Sequence, residues 1–144
     1  GSGTGCSFGA RLLTGALHVA AGGEGGCLSL PNDSPRRQHN VRCVLMAAAL
    51  HNFWLGEGCF HGRAMEATDR MLILANSCDN ILRRYHWVFK GCRPKALGYT
   101  GLPWCDDRID QWDCCCPLGK THDSLLYLNA CTLADLWRPC MYWE

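Results

Sequence analysis

Residues 111–124 read QWDCCCPLGKTHDS, which sets Cys114, Cys115 and Cys116 a short distance ahead of His122 and Asp123. These side chains could do three kinds of chemistry. An imidazole beside a carboxylate is a common general-base pairing. Clustered thiolates can hold zinc. In an oxidising compartment the same sulfurs pair instead as crosslinks.

The spacing of the other cysteines argues for crosslinks. They lie at Cys6, Cys27, Cys43, Cys59, Cys78, Cys92, Cys105, Cys131 and Cys140, giving 12 in all. No two are separated by two to four intervening residues, the C-x2-C to C-x4-C spacing that a tetrahedral zinc site uses. Twelve is an even number, and it is high for 144 residues. That composition points to a secreted, extracellular protein stapled by disulfides. Adjacent cysteines bridge poorly to each other, so the triple cysteine is expected to reach three distant partners and clasp the C-terminal third.

Composition bounds the rest. With 14 basic and 13 acidic residues the chain carries no charge excess for nucleic acid. No run of apolar residues is long enough for a membrane span. The start, Gly1-Ser2-Gly3-Thr4-Gly5, is neither basic nor followed by an apolar run, as a signal peptide would be. The expectation is one mature, secreted cysteine-rich domain over 1–144, monomeric and without cofactor, in which residues 1–5 are a vector-derived remnant.

Residues 6–20, with glycines at 9 and 15, are expected to form strands. Residues 31–40 read as an exposed loop, with Asn32 in a sequon that Pro35 weakens. Residues 40–56 are expected to form a helix capped by Asn40 and stopped at Gly56, with Val44, Ala47, Ala48 and Leu55 inward. A short strand at 57–65 comes next. A second helix at 67–85 carries Met71, Leu74, Ala75, Cys78, Leu82 and Tyr85 on one stripe. Residues 86–92 suit a strand, 93–120 a long crosslinked loop, and Asp123 or Ser124 can cap a last helix that ends at Arg138-Pro139. That order gives an α+β fold: a small disulfide-stapled sandwich, with two to three helices on an antiparallel sheet and a long cysteine-rich loop.

The residues carry two resemblances. The order from Pro103-Trp104-Cys105 through Asp113 and the three cysteines to His122, Asp123 and Tyr127 loosely resembles the secreted phospholipase A2 family. That resemblance implies a hydrolase in which His122 activates water and Asp123 holds calcium. The family needs its cysteine and histidine on one helix, which Pro117 and Gly119 would break. Residues 42–92 have another recurring order: an early-cysteine helix, a Gly-x-Cys-Phe strand, an acid-led helix and a strand ending Gly-Cys. This is similar to the killer-toxin-like cysteine-rich secreted effectors of fungi, with Cys43, Cys59 and Cys92 at matching places and Cys78 on the second helix. It implies a disulfide-stapled α/β sandwich that binds a host or target-cell protein or glycan without catalysis.

Other candidates read as structural. Asp106, Asp107, Asp110 and Asp113 lack a calcium-loop pattern and read as a solvated acidic loop. His51 and His61 read as half-buried histidines rather than metal ligands. Trp104, Trp112, Trp137 and Trp143 could form a binding surface or pack against the bridges. No G-x-S-x-G, P-loop or H-E-x-x-H pattern is read in the chain, so motifs lead to no expected catalytic centre. The leading expectation is therefore a non-enzymatic effector or toxin-like protein. The alternative is a secreted hydrolase using His122 and Asp123.

Overall fold

The first six residues carry alternating small side chains, and they form a strand rather than a tail. In the computed structural model, which describes residues 1–25, 41–89 and 91–142, β1 spans Ser2–Cys6 and α1 spans Gly9–Ala20. Strand β2 covers Val41–Met46 and β3 covers Thr68–Ala75. Then come α2 (Leu97–Thr100), β4 (Ile109–Asp113), α3 (Cys115–Leu118), α4 (Ser124–Asn129) and α5 (Cys131–Met141). The 31–40 loop with its Asn32 sequon, Cys27 and Trp143 lie outside the described residues.

The four strands form one sheet in the order β1-β2-β3-β4, and every neighbouring pair is parallel. The expected antiparallel sheet is thus corrected to a parallel one. Two long apolar runs explain the difference. A strand buried on both faces reads as an almost continuous apolar run, which periodicity alone cannot separate from a buried helix. VRCVLM and MLILA are such runs, and the expected helices at 40–56 and 67–85 are instead β2 and β3 with the turns that come after them.

Side-chain alternation then divides the core into two. Cys43 and Leu45 on β2, with Met71 and Ile73 on β3, pack with Ala10 and Leu17 of α1. Val44 and Met46, with Leu72 and Leu74, pack on the other face with Tyr127, Leu133 and Cys140. The result is a layered α/β arrangement in which α1 covers one face and α5 the other.

The remaining element expectations change for local reasons. Residues 6–20 form mostly helix, because Ala10, Thr14 and Leu17 recur at helical spacing and are all buried. Gly15 costs that helix about 1 kcal/mol relative to alanine, but it lets the His61 ring approach within 3.5 Å of where a Cβ would stand. The strand expected at 57–65 is a series of turns running into a short 3-10 helix at Ala64–Ala67. That expected at 86–92 overlaps the end of another 3-10 helix, Leu82–Val88. The expected loop 93–120 contains β4, and the single last helix expected is two, α4 and α5, separated at the extended Ala130, with α5 running through Pro139 to Met141.

No disulfide staples this fold among the described residues. Cys6, Cys43, Cys59, Cys78, Cys92, Cys105, Cys114, Cys115, Cys116, Cys131 and Cys140 are all free. Cys115 and Cys116 hold their sulfurs 4.0 Å apart, against about 2.05 Å for a bond. The expectation of a clasp fails for a physical reason visible at Cys43, Cys114 and Cys140. These three are buried among aliphatic side chains and act as small apolar core residues. Burial pushes the Cys43 and Cys114 thiols up to about 11.

Candidate active site

The C-terminal ends of parallel strands are where α/β sheets gather their chemistry. Here three connections leave that edge: β1 into α1, β3 into the turn at 76–81, and β4 through α3 into the 119–123 loop. Each brings one side chain to a common point.

The first is Ser7. It comes directly after Cys6 at the end of β1 and has φ of 50°, a left-handed backbone that a non-glycine residue adopts only under strain. The turn is sharp because α1 begins two residues later. Gly5 makes it possible, since a Cβ there would stand 2.7 Å from the Ala10 Cα. Two backbone bonds pin the turn to the chain just past β2. The Ser7 N–H donates to the Met46 carbonyl at 3.1 Å, and the Ala49 N–H donates to the Ser7 carbonyl at 3.0 Å.

The second is His122, whose Nε2 lies 2.9 Å from Ser7 Oγ. The third is Asp79, whose Oδ2 lies 2.6 Å from His122 Nδ1. Asp79 is fully buried, and its Oδ1 accepts the Ile81 and Leu82 N–H groups at 2.8 and 2.9 Å. A carboxylate held this way accepts only. His122 therefore donates from Nδ1 and presents a bare Nε2 to the Ser7 hydroxyl. That is the tautomer a general base needs.

Asn76, at the end of β3, fixes the loop that carries His122. It is fully buried, and its Nδ2 donates to the carbonyls of Gly119 at 2.8 Å and Thr121 at 3.2 Å. Its Oδ1 accepts the Cys78 N–H at 3.0 Å, so the same amide also shapes the turn leading to Asp79. Asp113 adds a second tie. Burial pushes its carboxyl upward, but bonds from Ser77 and the Cys115 N–H outweigh this and hold it below the usual range. The thiol of Cys6, next to the serine, is raised by burial and stays protonated at neutral pH.

Exposed apolar side chains stand close in sequence to the three polar groups. Phe8 adjoins the serine, Ile81 lies two residues beyond the aspartate and Leu125 three beyond the histidine, and they are 58%, 59% and 61% exposed. In the first turn of α1 the Ala10 and Arg11 N–H groups bond the Ser7 and Phe8 carbonyls at 3.2 and 3.0 Å, and the helix end is partially positive.

The candidates read from sequence separate accordingly. His122 is at the centre. Asp123 is not its partner: it stands at the N-cap of α4, where its carboxylate accepts the Leu125 N–H at 2.9 Å. Trp104 packs against the α1-side core and Trp137 against the opposite one, while Trp112 lies exposed on β4. Asp106 pairs with Arg108 and Asp110 with Arg70. His51 bonds the Tyr85 hydroxyl and His61 the Thr14 hydroxyl, both at 2.8 Å. Burial, then the Arg11 charge, lowers the pKa of His51. Among the described residues no His, Cys, Asp and Glu converge to hold a metal.

Sequence reading misses two members of the site, and the first of them corrects the reading that no G-x-S-x-G is present. Residues 5–9 read Gly-Cys-Ser-Phe-Gly, which does fit G-x-S-x-G. Treating 1–5 as a remnant and starting the first element at Cys6 cuts that motif in two. Asp79 carries no motif, and only its burial reveals it. No family model, curated protein or solved structure matches the chain.

Proposed function

We propose that this protein is a serine hydrolase acting on carboxylic esters, with Ser7 as nucleophile, His122 as general base and acid, and Asp79 as the group orienting the imidazole. One observation carries the reading: a strained serine between a strand and a helix, in bonding reach of a histidine held by a buried carboxylate. The α/β-hydrolases use the same strand–turn–helix device, with the chain order serine, acid, histidine. Here the order is 7, 79, 122.

The geometry supports a two-stage reaction. Ser7 Oγ attacks the ester carbonyl carbon while its proton passes to His122 Nε2. The carbon–oxygen bond to the leaving group breaks, and His122 returns the proton to the departing oxygen. Water then attacks the acyl-serine, His122 taking its proton and giving it back to Ser7 as the acid leaves. Asp79 stabilises the imidazolium in both halves. In this motif the N–H after the nucleophile, here that of Phe8, donates to the oxyanion. Phe8, Ile81 and Leu125, exposed and within three residues of Ser7, Asp79 and His122 respectively, suit substrates with an apolar portion.

This reading takes precedence over a non-catalytic effector role. It keeps His122 from the expected hydrolase alternative and replaces Asp123 by Asp79. A fluorophosphonate probe should label Ser7 and abolish hydrolysis of para-nitrophenyl butyrate. Ser7→Ala should lose both labelling and turnover while keeping its circular dichroism spectrum. Labelling at another residue, or full turnover by the alanine variant, sinks the proposal.

A further inference from the structure

The arginines of the described chain are either paired or solvated, with one exception. Arg42 pairs with Asp69, Arg63 with Glu66, Arg70 with Asp110 and Arg108 with Asp106. Arg83, Arg84, Arg93 and Arg138 are exposed. Arg11 is partly buried and has no carboxylate partner among the described residues, although a buried charge normally requires one.

Its place on α1 relates it to the nucleophile. Arg11 lies one helical turn beyond Ser7, and its guanidinium carbon is 4.9 Å from the centre of the Phe8 ring. The rings of Trp54, Phe89 and Tyr85 stand around it at 5.1, 5.3 and 5.7 Å. Nε donates to the Ala49 carbonyl, and Nη2 donates to the Tyr85 hydroxyl at 2.6 Å. Nη1 meets no acceptor among the described residues, and it is not among the sealed polar atoms. The nearby titratable groups supply no anion. Burial chiefly, with the Arg11 charge adding to it, lowers the pKa of His51 and His61, and burial raises that of Tyr85.

A guanidinium fixed by two bonds, walled by ring faces and keeping a free donor is a pre-set carboxylate receptor. The rings hold the charge without neutralising it. The start of α1 adds its own positive end on the same side of the sheet. We propose that Arg11 is a specificity residue that selects esters whose acyl portion ends in a carboxylate a few bonds from the scissile carbonyl. This rests on the serine hydrolase reading above. It narrows the substrate to an acyl chain with apolar methylenes, to lie along Phe8, and a terminal anion.

The test compares para-nitrophenyl butyrate with mono-para-nitrophenyl succinate, which replaces a methyl by a carboxylate. The unsubstituted protein should favour the succinate in kcat/KM by roughly tenfold to a hundredfold, the worth of a hydrogen bond to a charged group. Arg11→Met should bring that ratio to near one, and Arg11→Lys should restore part of it. A ratio is read so that any general loss from loosening the Ala49 contact cancels. Equal or better turnover of the butyrate by the unsubstituted protein overturns the proposal without any variant. So does a ratio unchanged in Arg11→Met, which would make Arg11 a strut for Tyr85 and the 47–50 turn. Phosphonate labelling of Ser7 separates the two failures. Labelling with no anion preference removes the Arg11 assignment alone, and absence of labelling removes the hydrolase reading and this one with it.

Discussion

At the scale of single residues, Asp79 is the most constrained member of the site. One oxygen takes two backbone N–H groups and the other is left for His122, so its rotamer has no freedom. Asp79→Asn keeps the size and can keep the backbone bonds through its carbonyl oxygen. Its amide would then donate towards His122 Nδ1 and force the proton onto Nε2, where it blocks the base. The expected result is a fall in kcat of roughly 10³–10⁴-fold, with the melting temperature little changed. Steady-state kinetics beside a melting curve check both. The sequence made His122 visible because a histidine next to an aspartate draws attention. It hid the true partner, because Asp123 spends its carboxylate on the helix it opens, as N-cap residues do. Contact in space joined His122 to a residue 43 positions earlier.

At the scale of elements, the site depends on what the turns are made of. Asn76 connects the end of β3 to the loop before α4 by two donated bonds. Asn76→Ala leaves the Gly119 and Thr121 carbonyls without that donor. It should cost about 1–3 kcal/mol of stability. It should lower kcat more than it changes KM, since the loop it frees carries the base. Urea melts and initial-rate curves would decide, and an unchanged kcat would remove Asn76 from the positioning of His122. Element identity was poorly legible for a related reason. VRCVLM and MLILA are apolar on both sides because helices cover both faces of a parallel sheet, and such runs carry no period-2 signature. The turn after β1 was legible only as a motif, and only when Gly5 is read together with residues 6–9. The start of the expected last helix was legible, because Asp123 gives a local cap signal, but the break at Ala130 that divides it into α4 and α5 and the run through Pro139 were not.

At the scale of the molecule, the buried histidines set how stability responds to acid. Burial is the main reason, with His18 and Arg11 adding to it, that the pKa of His61 is lowered from 6.5 to about 4. The folded state thus favours the neutral ring, whose Nδ1 meets the Thr14 hydroxyl. This contribution is full above about pH 6.5 and is lost as the pH falls towards 4, because the unfolded chain takes up the proton first. His51 is shifted in the same direction. The melting temperature should therefore drop between pH 6.5 and 5, where most carboxylates are still ionised. His61→Gln should flatten that slope. A flat profile in the unsubstituted protein would contradict the assignment.

The strand order has a temporal meaning as well as a spatial one. Ser7 leaves β1 at one border of the sheet, and the chain reaches His122 only after β4 at the other border, 115 residues later. Contacts so distant in sequence form late, because closing long loops costs entropy before the contact repays it. Reaction of Ser7 with a phosphonate thus works as a clock for the final step of assembly. In a refolding experiment, circular dichroism should recover first and labelling competence afterwards, once the two borders are in register. Simultaneous recovery would mean that the sheet closes in one event.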